Sequence, residues 1–261
     1  MIKQFTFNHF EVNTYVIVDE ATKQCAIVDP ACEASFEDAQ LTQYIEAEGL
    51  QVTYILLTHA HVDHIAGLRQ CCEHYNLPVT MHAEGRKLLR QAEAYGSMMG
   101  FAVDNMDDLP VEEIKDNDIL RVGETEVECR YVPGHCPGSV CYVVPARSSA
   151  YARHTPSPLR GTPPNLGGEL LPPLVTGSSP KLGEVDARSA DGGVCTPAVI
   201  TGDALFHFSI GRTDLPGGDY PTLIDYLKRR VLTLPDDYAV LPGHGIASQI
   251  GKERKYNSFL I

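Results

Sequence analysis

Thr58-His-Ala-His-Val-Asp-His64 places three imidazoles and a carboxylate in one short stretch. It follows an apolar run, Tyr54-Ile-Leu-Leu57, that reads as a buried strand, and it leads into a helix expected from about His64 to Tyr75. Strand, loop and helix in that order put the loop at the C-terminal edge of a sheet, where α/β proteins bind ligands. On an extended loop alternate side chains point the same way, so His59 and His61 suit one metal ion. Asp63 and His64 turn toward a second. Reading the stretch as polar decoration of a helix N-terminus fits poorly, because imidazoles are not favoured capping groups.

Further ligand types stand at the ends of three more predicted strands. Val132-Pro-Gly-His-Cys-Pro-Gly138 follows a strand at 127–132 and holds His135 in a loop stiffened by Pro and Gly. Thr201-Gly-Asp203 follows the Ala198-Val-Ile200 strand and offers a carboxylate able to bridge two cations. Leu241-Pro-Gly-His-Gly245 repeats the strand-then-His arrangement with His244. A lone His in such a loop is usually structural; three such loops beside the first motif point to one metal centre. The other histidines, at 9, 74, 82, 154 and 207, fit no such pattern and are expected to be surface or packing residues.

Around these motifs the chain alternates short apolar strands with amphipathic helices, as an α/β fold does. Strands are expected at 2–7, 14–18, 25–28, 78–81, 119–122, 140–144 and 239–241. Ser35-Phe-Glu-Asp38 has the pattern of a capping box opening a helix, with Phe36, Ala39, Tyr44 and Ile45 near its inner face. A helix over about 221–232 would bury Leu223, Leu227 and Val231. The stretch 146–196 departs from this rhythm, being rich in Pro, Gly and Ser with Tyr151 its one aromatic. It reads as an insertion in a single domain spanning 1–261; a mobile surface loop and a substrate lid or docking loop are the two readings.

Lys and Arg total 21 against 34 Asp and Glu, a formal net charge of -13. Such a surface repels phosphate backbones, and with no basic run a nucleic-acid partner is not expected. No apolar run approaches the ~18 residues of a membrane helix, so no membrane partner is expected either. The first residues alternate apolar and polar, unlike an export signal. Eight cysteines with no CxxC pair suit reduced thiols and a cytoplasmic location. Cys136, beside His135, and Cys141 read as packing residues.

The series THxHxDH, PGH, GD and PGHG resembles the metallo-β-lactamase fold superfamily over essentially the whole chain outside 146–196. Within it, His64 after Asp63, and Asp203 where several lactamases use a ligand Cys, look like the glyoxalase II-like hydrolases. The stretch Ser209-Ile-Gly-Arg-Thr-Asp-Leu-Pro-Gly-Gly218 and the C-terminal tail look like the short members. Those lack the separate helical domain that binds glutathione, and only 17 residues follow His244 here. The resemblance implies an αββα sandwich with the site along one edge of its two sheets. It further implies that His59, His61 and His135 bind one metal, that Asp63, His64 and His244 bind another, and that Asp203 bridges. Asp29, in Ile27-Val-Asp-Pro30, matches an acid that braces the His loop; an ordinary Asp-Pro turn is the alternative.

A paired site of this kind is expected to use hydroxide made from water between two divalent cations to attack a carbonyl. A thiolate leaves without strong acid assistance, so a hydroxyacyl thioester is the expected small-molecule substrate. Asp63 is assigned to orienting the nucleophile or holding a proton. Arg212, with no evident partner in the local sequence, is offered as a bidentate ligand for a substrate carboxylate, against a structural salt bridge. Zn²⁺ is the default metal, with Fe²⁺ or Mn²⁺ also suited. The main competitor is a persulfide dioxygenase with one iron on His59, His135 and Asp203. Lactonase or β-lactamase activity is a weaker alternative, and a non-catalytic binding module a different class. Neither the thiol nor the oligomeric state is legible.

Overall fold

Strands β1 (Ile2–Phe7), β2 (Val12–Val18), β3 (Gln24–Val28), β4 (Gln51–Leu56), β5 (Val79–His82) and β6 (Val111–Ile114) form one sheet in chain order. The structure, a computed structural model, describes residues 1–145 and 197–261. β1 to β3 pair antiparallel and β3 to β6 parallel. Parallel neighbours need crossovers, and helices supply them. These are α1 (Ser35–Ala47), α2 (Leu68–Tyr75) and the pair α3 (Arg86–Arg90) and α4 (Ala92–Met99).

The second sheet holds β7 (Ile119–Val122), β8 (Thr125–Tyr131), β9 (Val140–Val144), β10 (Ala198–Gly202), β13 (Ala239–Pro242) and β14 (Ser248–Gln249), ordered β14-β13-β10-β9-β8-β7. β11 (Leu205–Phe206) and β12 (Ser209–Ile210) make a small hairpin after β10. Helix α5 (Tyr220–Tyr226) runs into a π-helical turn at Leu227–Val231, and α6 (Ile250–Tyr256) follows β14. Among the described residues no helix is long and apolar enough to cross a membrane. The seven described cysteines are free and buried.

Three apolar layers hold four layers of structure together. Tyr15, Ala26, Val28 and Leu56 of the first sheet meet Val127, Tyr142, Ile200 and Leu241 of the second. Alternate residues of the same strands, such as Cys25 and Ile27, face outward and pack under Leu41, Ile45 and Leu68 of the helices. On the far side Val143, Val199 and Val240 meet Leu223, Leu227, Val231 and Ile250. Strands covered on both faces are apolar at nearly every position, which is why they read as continuous runs in the sequence. This is the expected α/β fold, an αββα sandwich.

Several local expectations change. Helix α1 has Ala34 as its N-cap with no side-chain cap; Glu37 instead accepts the backbone N–H groups of Glu33 and Ala34. Phe36 is 71% exposed, so the inner face of α1 is Leu41 and Ile45, with Tyr44 packed beside them as expected. Helix α2 begins at Leu68, four residues after His64, with turns over 62–67. Tertiary hydrogen bonds hold that stretch out of the helix: Gly67 N–H donates to the Pro30 carbonyl and the Asn8 side chain to the Asp63 carbonyl. Helix α4 and edge strand β6 were not expected. The 146–196 insertion lies outside the described residues, as do Cys195 and His154.

Candidate metal centre

The predicted ligands converge because the strands that carry them end at one edge of the sandwich. β4 delivers Thr58 to His64, the loop after β8 delivers His135, and parallel neighbours β10 and β13 deliver Asp203 and His244. Two backbone bonds tie the sheets together there: Val140 N–H to the Thr58 carbonyl, and Asn13 N–H to the Gly243 carbonyl at 2.7 Å.

Four of the five imidazoles have their Nδ1 atoms occupied. His135 Nδ1 lies 2.8 Å from the Arg212 carbonyl and His244 Nδ1 lies 2.9 Å from the Phe10 carbonyl. Carbonyls only accept, so both Nδ1 atoms carry a proton and both Nε2 atoms face the site. His64 Nδ1 donates to Asp29 Oδ2 at 3.0 Å. His59 Nδ1 lies 3.0 Å from Thr58 Oγ1, whose own hydroxyl donates to Asp29 Oδ2 at 2.6 Å. Asp29 also accepts the Thr58 N–H at 2.7 Å, so one buried carboxylate orients two imidazoles. His61 turns its Nδ1 inward, 3.0 Å from His135 Nε2.

Two groups result. His59, His61 and His135 gather their ring nitrogens within 4.8 Å of one another, with the buried Cys136 thiol also in reach; Asp63, His64 and His244 form the second group. Asp203 stands between them. Its Oδ1 lies 3.3 Å from His64 Nε2, and its Oδ2 lies 3.6 Å from His244 Nε2 and 3.8 Å from His135 Nε2. Asp63 Oδ2 lies 3.2 Å from His244 Nε2.

This donor set fits divalent cations. His59 Nε2 is buried without a partner, and His64 Nε2 and Asp203 Oδ1 have only each other, at 3.3 Å and without a well-formed hydrogen bond, a costly state that a bound cation relieves. Space is kept for the donors too. A Cβ on Gly243 would fall 2.2 Å from Asp203 Oδ1 and 2.7 Å from His64 Cε1, and one on Gly211 would fall 1.7 Å from the Asp203 carbonyl oxygen.

Electrostatics divides the two groups. Burial lowers His59, His61 and His135, with the neighbouring imidazoles adding to the effect at His59 and His61; His61 falls to about 4. They are neutral at pH 7. Burial also opposes charge on His64 and His244, but there the carboxylates of Asp203 and Asp63 prevail and raise both. Asp63 and Asp203 are lowered, because the imidazoles outweigh a burial that would raise them.

The metallo-beta-lactamase superfamily profile matches residues 8–151, more than half of the chain. The chain belongs to the metallo-beta-lactamase superfamily. The superfamily member is 31% identical over 251 residues to the "Probable metallo-hydrolase YqgX" of Bacillus subtilis, covering 96% of this chain and 92% of that one. It is 28% identical to the "Hydroxyacylglutathione hydrolase GloC" of Haemophilus influenzae, covering 96% and 93%. Among solved structures it resembles TTHA1623 in a di-iron-bound form, with a TM-score of 0.69, 26% identity and coverage of 99% and 100%. Superfamily membership marks a metallo-hydrolase acting on small molecules. Such enzymes typically bind divalent metals, and the two His-rich groups are the candidate sites.

A cavity of about 300 Å³ opens over this superfamily site, reached by His61, Asp63, His135, Asp203 and His244. Arg212 lines it as well, but the guanidinium is not free. Its Nε and Nη2 hold Asp214 at 2.8 and 2.7 Å, a partner two residues away that the sequence reading did not find. Cys136 is fully buried, and burial pushes its thiol well above the ordinary range, so it supplies no thiolate nucleophile at neutral pH.

The sequence reading missed the residues that brace the site. Asn13 Nδ2 donates to the carbonyls of Pro242 and Gly245, and Tyr15 Oη to that of Pro242. A polar Asn and Thr in Val12-Asn-Thr-Tyr-Val16, buried at every position, were the available signal. Phe10 and the α4 side chains at the cavity gave none.

Proposed function

We propose that this chain is a single-domain, dinuclear metal-dependent hydrolase of hydroxyacyl thioesters, glyoxalase II-like in its chemistry. One observation carries the reading: Asp203 contacts His64 and His244 on one side and His135 on the other. A carboxylate shared by two ligand groups is the arrangement of a two-cation site. A single iron on His59, His135 and Asp203 would leave Asp63, His64 and His244 without a purpose. The relative GloC, a hydroxyacylglutathione hydrolase, points to the thioester.

His59, His61 and His135 would hold one cation, Asp63, His64 and His244 the second, and Asp203 would bridge. Divalent cations, Zn²⁺ by default with Fe²⁺ or Mn²⁺ also suited to these donors, supply an activated water and polarise the acyl oxygen. The protein's own part is orientation. Asp29 and the carbonyls of Phe10 and Arg212 fix which ring nitrogen His64, His244 and His135 present. Asp63, held ionised by His64 and His244, would orient the attacking water or take up its proton. The leaving thiolate, with a pKa near ~8.5, departs without a general acid.

Metal analysis of the purified protein, combined with thioesters, lactones and persulfides as substrates, tests the reading. Two metals per chain with thioester cleavage and no oxygen uptake is the expected result. One iron per chain with oxygen consumed on a persulfide would replace it.

A further inference from the structure

The side chains of one wall of the cavity have no part in the chemistry above. That wall is built from Phe10, Val62, Leu88, Tyr95, Met99 and Leu215. Tyr95 and Met99 stand one helical turn apart on α4, whose other face is seated by Ala92 and by Gly96 against Val103. They and Phe10 stay 37–49% exposed although all three are large apolar groups. Large, half-exposed apolar groups lining the same cavity as a polar site mark a ligand groove.

The wall is continuous with the ligand cluster. Phe10 lines the cavity with its ring while its carbonyl accepts from His244 Nδ1, and Val62 lies between His61 and Asp63. Phe10 is itself backed by Phe101, with ring centroids 5.3 Å apart. Arg212, the cation on the lining, is not one of the wall residues and pairs with Asp214 in solvent, so the wall itself offers contact area rather than charge.

We propose that the wall of Phe10, Leu88, Tyr95 and Met99 selects substrates carrying an aliphatic or aryl group beside the scissile carbonyl. The inference rests on the thioesterase reading and adds the substrate class. A cavity of about 300 Å³ takes a group of several carbons. Each methylene that leaves water for such a wall strengthens binding about fourfold. The apolar group enters from either side of the thioester, acyl or thiol.

The test uses the metal-loaded protein and two series of thioesters. In one the thiol is fixed and a 2-hydroxyacyl chain grows from three to six carbons or ends in a phenyl ring. In the other the acyl group is fixed and an uncharged thiol grows likewise. The expected result is a rise in kcat/KM of roughly tenfold or more along one series. In Tyr95→Ser and Met99→Ser the ratio of the longest to the shortest member should collapse toward one. Thioester cleavage that is flat along both series overturns the wall's role and leaves the thioesterase reading standing. Calorimetric binding of lactate and 2-hydroxyhexanoate separates the opposite case. With no thioester cleaved, tighter binding of the longer acid by wild type, but not by Met99→Ser, supports the wall and removes the thioesterase reading; equal binding overturns the wall.

Discussion

Asp29 Oδ2 lies 3.0 Å from His64 Nδ1, and both side chains are shut off from solvent, with 1% and 0% of their surface exposed. The same carboxylate takes the N–H and the hydroxyl of Thr58. It therefore sets the ring orientation of His64 directly and that of His59 through Thr58.

Asp29→Asn should weaken cation binding about 10–100-fold, the usual effect of removing a partner that orients a ligand His. The amide leaves one oxygen for three donors, so stability should also fall by about 1–3 kcal/mol. Metal titration and a urea melt check both. Unchanged affinity would return Asp29 to the role of an Asp-Pro turn.

His64→Ala should lower occupancy toward one metal per chain, leaving His59, His61 and His135 loaded. Turnover should fall steeply, and excess metal in the assay should restore part of it by mass action. Stoichiometry of wild type and variant prepared side by side decides: one metal in both ends the dinuclear reading.

Asp203→Ala should cost more metal than any single His change, because its two oxygens face three imidazoles drawn from both groups. Elemental analysis after gel filtration reads the result. Two metals retained per chain would remove the bridge.

Metal loading should depend on pH in two stages. His59, His61 and His135 are lowered, so the metal-free protein presents them neutral at pH 7. His64 and His244 are raised and keep a proton until the pH passes above their ordinary range. That proton must leave before the nitrogen can bind a cation. Affinity of the second group should therefore fall as pH falls, while the first group still fills. Calorimetry in buffers of different ionisation enthalpy should find proton release in the second step only.

Replacing 151–192 by a short Gly/Ser join should leave the fold and the metal content intact. β9 and β10 are antiparallel neighbours with Val144 opposite Ala198, so the flanking ends already meet. Loop closure changes only as ~(3/2)RT ln n, which favours the shorter link slightly. A variant that fails to give a cooperative melt would show that the segment packs.

The sequence by itself showed short apolar strands alternating with helices and brought the metal-binding candidates into view, and its resemblance to the superfamily implied the four-layer sandwich. Strands such as Gln24–Val28 and Ala198–Gly202 are covered on both faces, so burial made them apolar at consecutive positions. His59, His61, Asp63 and His64 sit in one short motif at a strand end, and His135, Asp203 and His244 stand one to four residues beyond their own strands. Local chemistry was enough there.

Whatever depended on which strands become neighbours was decided only by the tertiary structure. Asn13 and Tyr15 reach Pro242 across more than two hundred residues, a contact no window of sequence contains. The stretch from Asp63 to Gly67 follows no helix because bonds from Asn8 and to Pro30 hold it, overriding local propensity. Arg212 found Asp214 because the loop turns the two side chains together, although nothing in their spacing specifies that turn. The apolar wall came from Phe10 at one end of the first sheet and α4 at its other side, each unremarkable alone. Side-chain identity fixes what a residue can do; which partners it meets is set by the packing of the two sheets.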